Sequence, residues 1–341
     1  MHKKTIFNID NNHITYYGPH NSANVKINAI LLGDSWVDCL WKPNLETWPV
    51  KLCIKNNWSY INLAKAGTRV TDIKLQLFLL KKFQNDKKVL IDENTLWIIH
   101  SGGNDVLFDL FFNFYKVLYD IFNMYSLKIH VNNNIIKTQS NTFIPNIAKN
   151  ISLTTYEIVD IINNNYSPKK ILVSSNTISN AMPFTFLVTS FIAPFNSHYI
   201  IDAIALLCSL YLTCGLNYFQ NENNENNENN ENNKNNKNNL NIVFFQEDKA
   251  SIKHKNKITW FNDGFHPTNV GHEYIMQEAS ATLNENKPIH LIYKEKYHQL
   301  LSLYNNPISL FTIINFSISI LLLIVIGFFI IIIVMIVKFM Y

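Results

Sequence analysis

The sequence predicts an α/β protein: a three-layer α/β/α sandwich with a five-stranded parallel sheet, followed by a C-terminal transmembrane helix. Three observations carry this expectation. Five short runs are apolar and rich in β-branched residues; segments of helical length separate them; and the far end carries a long stretch without any charge.

The five runs are residues 25–32, 60–64, 96–100, 170–174 and 242–246. Each is bounded by polar or turn residues, the pattern of strands covered on both faces. Between the second and third runs, "TDIKLQLFLLKKF" repeats apolar residues at helical spacing, with Thr71 placed to cap the helix. "TTYEIVDIINNNY" precedes the fourth run and "SHYIIDAIALLCSLYLTCGL" the fifth. The latter is read as a crossover helix, because Asp202 interrupts it and leaves too short an apolar run to span a bilayer. Strands alternating with helices imply parallel pairing. Residues 106–125, "VLFDLFFNFYKVLYDIFNMY", hold many large aromatics, read as core packing, with acyl-chain binding as the competing reading.

Composition narrows the function. A chain of 341 residues can bury a full core. The net charge of +4 is modest, and no basic stripe interleaves with aromatics, so a nucleic-acid ligand is not expected. Arg69 is the only arginine among 29 basic residues, and asparagine is abundant; this skew is read as mutational bias. Cys39, Cys53, Cys208 and Cys214 form no CxxC pair and are expected as buried thiols. The 11 histidines form no metal-binding cluster, and neither a metal nor another cofactor is expected.

The chain divides into an N-terminal extension over 1–24, a globular domain over 25–286, a linker over 287–308 and a membrane segment over 309–338. The extension has no sustained apolar core and is not read as a secretory signal. Within the domain, the Asn-rich insertion over 220–240 repeats every three residues without apolar content and is expected to be disordered. From Ile318 to Val337 only Ser319 and Gly327 interrupt the apolar run. As a helix it spans roughly 30 Å, the thickness of the hydrocarbon core. Lys287, Lys294 and Lys296 precede it and Lys338 follows, which favours a tail anchor with the body facing the cytosol. Glycans on the N-x-S sites at Asn57, Asn150 or Asn165 would instead place the body in a lumen.

Ligands of open parallel sheets bind beyond the carboxyl ends of the strands, and candidate residues cluster there. After the first run comes Gly33-Asp34-Ser35. Glycine permits a sharp exit, and Ser35 is expected to open a helix whose amides and dipole favour an oxyanion, with plain helix capping by Ser35 or Asp34 as the alternative. After the second run, Gly67 offers a backbone amide or simply a turn, and Arg69 offers an anion contact or a structural one. After the third, "HSGGNDV" places Asn104 where a side-chain amide can donate to an oxyanion, with an Asn-Asp turn as the competing role. His100 falls earlier and is read as packing within the strand. Near the end of the domain, "FNDGFHPTNVGHEYI" spaces Asp263 and His266 so that a loop can hold the carboxylate on Nδ1 and leave Nε2 outward. His272 is read as structural.

Taken together, "GDS" after the first strand, glycine after the second, "GGND" after the third and "DGFHP" near the end resemble the four signature blocks of the SGNH hydrolases, the GDSL lipase/esterase superfamily. The resemblance covers roughly residues 25–279, and the "DSWVD" context, with Asp38, is similar to the GDSL lipase and thermolabile-haemolysin-like branches. It implies a flavodoxin-like sheet, Ser35 as nucleophile, His266 as general base and Asp263 as its partner. It also implies an oxyanion hole from the Ser35 and Gly67 amides and the Asn104 side chain. Trp36 stands where GDSL has leucine, which leaves substrate preference open. No GxSxG elbow occurs. The expected reaction is hydrolysis of a carboxylic ester. A lipid ester is preferred because of the membrane segment; an acetylesterase, an acyltransferase and a catalytically silent membrane-tethered binding protein are the alternatives.

Overall fold

The computed structural model describes residues 2–19, 25–42, 44–87, 89–105, 143–175, 240–285 and 287–304, with 209, 212, 213 and 216 besides. In chain order the strands are β1 (His2–Ile9), β2 (Asn12–Pro19), β3 (Ala29–Leu32), β4 (Tyr60–Asn62), β5 (Leu96–Ser101), β6 (Lys170–Ser175) and β7 (Asn241–Phe245). The helices are α1 (Trp48–Lys55), α2 (Ile73–Lys87), α3 (Phe143–Tyr166), α4 (Glu247–Lys253), α5 (Asn269–Glu285) and α6 (Ile289–Tyr304).

The sheet has seven strands in the order β1-β2-β4-β3-β5-β6-β7, a mixed α/β architecture. The five expected strands are present and parallel, running β4-β3-β5-β6-β7. The expectation of a five-stranded sheet is corrected by the N-terminal stretch, which forms an antiparallel hairpin and pairs β2 with β4. Its turn is Asp10-Asn11, both at positive φ (50° and 60°), the two-residue geometry that matches strand twist. Tyr17 stacks on Tyr60 with centroids 5.3 Å apart, so the hairpin is packed onto the sheet as well as hydrogen-bonded to it. β3 is shorter than residues 25–32: its approach is held by single contacts such as the Ile27 amide on the Leu90 carbonyl.

Alternate residues of the strands face opposite layers. Leu31, Ile98, Leu172 and Val243 share one core with Leu52 and Cys53 of α1 and Ile275 and Met276 of α5. On the other face Trp97 meets Tyr166 of α3, and the hairpin's Phe7 meets Phe83 of α2. Helices on both faces bury β3 completely, which accounts for its unbroken apolar sequence.

Residues 287–304, read from sequence as a linker, contain α6. Its Ile289 and Ile292 are buried, and Glu295 receives Lys249 of α4 and Lys287. Those two ammonium groups pull the Glu295 carboxyl down to about 2. Among the described residues no helix is long and apolar enough to cross a membrane. The expected membrane segment at 309–338, the aromatic stretch 106–125, the Asn-rich insertion and most of the crossover at 199–216 lie outside the described residues.

Candidate active site

The parallel strands place β3 between β4 and β5, so the connections leaving the neighbours β3 and β5 depart to opposite sides. Such a switch point opens a crevice at the carboxyl ends. Ser35 follows β3 and Asn104 follows β5, one on each side of that crevice.

The exit from β3 requires glycine. Gly33 has φ of +149°, and a Cβ there would lie 2.5 Å from the His100 carbonyl oxygen of the neighbouring strand. Gln76 of α2 clamps it: its Oε1 accepts the Gly33 N–H at 2.8 Å and its Nε2 donates to the Gly33 carbonyl at 2.7 Å. The chain then turns on Asp34, whose carbonyl accepts the Val37 and Asp38 amides and whose Oδ1 accepts the Trp36 amide at 3.0 Å. This is a turn and not the helix expected at Ser35; the next helix begins only at Trp48. The helix-dipole contribution inferred for Ser35 is therefore replaced by that of individual amides. The Asx turn explains why: Asp34 satisfies the Trp36 N–H with its own side chain and the Val37 and Asp38 N–H groups with its carbonyl.

The second component is the loop after α4. The Phe261 amide donates to the His266 carbonyl, Gly264 turns the chain at φ +63°, and Trp260 bridges to Pro267. Asp263 Oδ1 accepts the amides of Phe265 (2.9 Å) and His266 (3.0 Å), which leaves Oδ2 to the ring. His266 Nδ1 lies 2.9 Å from Asp263 Oδ2, and Nε2 lies 2.7 Å from Ser35 Oγ, across 231 positions of sequence. Burial would raise the Asp263 carboxyl, but the His266 and Phe265 amides and the imidazole hold it below the usual carboxylate range. The His266 ring is flanked by Trp41, centroids 4.3 Å apart, and edge-on by Phe265 at 4.9 Å.

The third component is the loop over 62–68. Asp38 fastens it to the Ser35 turn: its Oδ1 accepts the Leu40 amide and its Oδ2 the Ala66 amide, at 2.8 and 2.9 Å. Lys65 N–H and the Thr68 hydroxyl both donate to the Gly33 carbonyl. Gly67 has φ of +82° with open space where a side chain would stand, so the turn's conformation demands glycine and crowding does not. Asn104 Nδ2 donates to the Thr68 carbonyl at 2.8 Å, tying the end of β5 to the same loop. Among the described residues its other amide hydrogen has no partner. The Ser35 and Gly67 amides donate to no group among the described residues. A cavity of about 360 Å³, lined in part by Asp38, Leu63, Gly67, Thr68 and Leu79, opens beside this loop.

Ser35, Asp263 and His266 are thus in direct contact, and Gly67 and Asn104 are linked to Ser35 through Thr68 and Gly33. Arg69 stands at the exposed start of the 3-10 turn, its amide donating to Asp72. Burial raises the neighbouring Asp105 to about 6 although it accepts the Val70 amide. Cys39 and Cys53 are free and buried. Among the described residues no cluster of His, Cys, Asp or Glu is arranged for a metal ion.

The structure gives partners to residues that the sequence reads only as packing or structural. Trp36 is fully buried and packs against His100, Trp260, Phe265 and His272, so it joins the serine turn to the histidine loop. His272 is neutral: burial, then the His266, Lys51 and His100 charges, push it down to about 3, and its Nδ1 accepts the Trp48 amide. His100 is fully buried between two carboxylates, Asp34 and Glu247. The one signal available was a histidine two residues before the GGN segment, inside an otherwise apolar strand.

No family model matches the chain, and no curated protein matches it. Among solved structures, a chain from Parabacteroides merdae ATCC 43184, provisionally assigned as a GDSL-like lipase, is similar at 13% identity with a TM-score of 0.38. The match covers 79% of this chain and 100% of that one. A similarity of that size carries no argument about chemistry, which rests on the distances above.

Proposed function

We propose that this chain is a GDSL-type serine hydrolase that cleaves carboxylic esters through an acyl-serine intermediate. One observation carries the reading: an unbroken hydrogen-bonded line from Asp263 through His266 to Ser35 Oγ, at 2.9 and 2.7 Å. Asp263 holds the Nδ1–H tautomer, so Nε2 presents its lone pair to the hydroxyl. As the Ser35 oxygen attacks the ester carbonyl, His266 takes its proton and then returns it to the departing alkoxide. Water repeats the sequence to release the acid. The developing oxyanion is received by the Ser35 and Gly67 amides and the free Asn104 hydrogen. Of these donors, Gly67 lines the cavity of about 360 Å³.

The preference for a lipid ester is supported by sequence alone, through the apolar run 318–337. So is the orientation that leaves the body in the cytosol, and glycosylation of the exposed Asn57 in a eukaryotic host would refute it.

The test is labelling with a fluorophosphonate probe and turnover of p-nitrophenyl acyl esters of graded length. Labelling that disappears in Ser35→Ala is expected, with turnover down by at least ~10³-fold. Equal labelling or turnover in folded Ser35→Ala protein removes the assignment, and a folded wild-type protein that never labels favours a binding protein. Asp263→Asn keeps the two backbone hydrogen bonds yet favours the wrong tautomer, and kcat is expected to fall about 10⁴-fold.

A further inference from the structure

The ring of His100 is completely buried at the carboxyl end of β5, and each of its nitrogens faces a carboxylate. Nε2 is hydrogen-bonded to Glu247 Oε2 at 2.6 Å, and Nδ1 lies 3.2 Å from Asp34 Oδ1, close enough for an ion pair but outside hydrogen-bond alignment. Glu247 is itself buried at the start of α4 and takes a second hydrogen bond from Ser174 Oγ. Its Oε1 has no partner among the described residues. Burial raises the Glu247 carboxyl, and the His100 charge opposes that rise; two buried carboxyl groups around one ring are an arrangement that replacement by apolar side chains usually matches or improves in stability. Core packing, the role first read for His100, does not explain it.

The residues His100 touches do explain it. Its carbonyl and Cβ lie against Gly33, its Nδ1 holds Asp34, and its ring stacks on Trp36, planes 12° apart. The residue these three enclose is Ser35. Asp34 Oδ1 is shared between the ring and the Trp36 amide, so fixing that oxygen fixes the peptide that follows the serine. Glu247 reaches the same turn from α4 by gripping the far side of the ring.

We propose that His100 and Glu247 are positioning residues for Ser35: an imidazolium hydrogen-bonds to Glu247 through Nε2 and pairs by charge with Asp34 beside Nδ1, and so sets the turn that carries the nucleophile. Only the doubly protonated ring satisfies two ionised carboxylates at once. Burial works against that form, but the Glu247 and Asp34 carboxylates outweigh it. Among the described residues, Asp38 and Asp105, through Asp34, and His272, through His100, are further ionisable groups whose fields reach the cluster. The inference rests on the hydrolase reading for its kinetic consequence and on the two carboxyl groups against the ring for its charge state.

Two measurements decide it. Nitrogen NMR of the full chain with ¹⁵N-labelled histidine, assigned by His100→Gln, is expected to show both His100 nitrogens protonated at pH 8. A neutral ring overturns the proposal. Glu247→Gln, which keeps shape but removes charge, is expected to lower kcat on p-nitrophenyl butyrate at least ~10-fold with KM unchanged. Glu247→Asp is expected to recover part of that loss. A folded Glu247→Gln protein with wild-type kcat overturns the proposal even if the ring is charged. If the wild-type protein neither labels at Ser35 nor turns over ester, the hydrolase reading fails, and the NMR result alone supports or overturns the imidazolium bridge.

Discussion

The indole of Trp36 meets the ring of Phe265 edge-on, with centroids 6.4 Å apart and planes at 78°. Trp36 follows Ser35 and Phe265 precedes His266, so this contact joins the two halves of the candidate site. The serine turn and the histidine loop are held in register by aromatic packing as much as by the hydrogen bond between them.

Trp36→Leu would restore the GDSL letters but remove that packing. The indole N–H has no partner among the described residues, so the loss is one of shape and apolar area. Trp36→Ala is expected to cost about 3–5 kcal/mol, and Trp36→Leu less because it fills part of the cavity. Urea unfolding measures both. At equal folded fraction, fluorophosphonate labelling of Trp36→Leu should be slower than wild type.

Gly33→Ala meets two obstacles at once. The backbone stands at φ +149°, and the new methyl would lie 2.5 Å from the His100 carbonyl, a backbone atom that cannot swing away. A loss of about 2 kcal/mol or more is expected, read as a lower unfolding midpoint. A midpoint within error of wild type would mean that β3 and β5 separate at this point without cost.

Asn104→Ala removes a donor while leaving Ser35, His266 and Asp263 in place. If Asn104 serves the oxyanion, kcat falls about 10²- to 10³-fold with little change in KM. A rise in KM at constant kcat would assign it to ground-state binding instead, and circular dichroism separates either result from loss of the Thr68 tie.

The two buried histidines give stability opposite dependences on pH. His100 is raised from an ordinary 6.5 to about 10, so its contribution is complete below about pH 6.5 and is lost as pH rises towards 10. His272 is lowered to about 3, so its contribution is present above about pH 6.5 and is lost as pH falls towards 3. Urea midpoints from pH 4 to 10 should fall on both sides, and in Glu247→Gln the alkaline fall should still begin near pH 6.5 but be smaller and end at lower pH. An alkaline limb that is flat in wild type contradicts the charged state of His100.

Much of this protein is local in its sequence. Each of the five parallel strands shows as an apolar run because burial on both faces leaves no room for alternation, and β3, β5 and β6 lie where those runs fall. Asp263 and His266 are legible because a hydrogen bond across three residues depends only on the loop that holds them. The β1–β2 hairpin was written in "NIDNNH", yet its place beside β4 depends on an edge that exists only once the sheet has formed. The same holds for His100, Glu247 and Trp36. A buried histidine in an apolar strand carries no mark of its partners, since Glu247 lies 147 residues away and is brought there by the crossovers. Sequence by itself determined which short segments would be strands, turns and a histidine loop, because those depend on neighbours along the chain. Tertiary structure alone decided which of them touch, because contacts across hundreds of residues follow from strand order and layer packing.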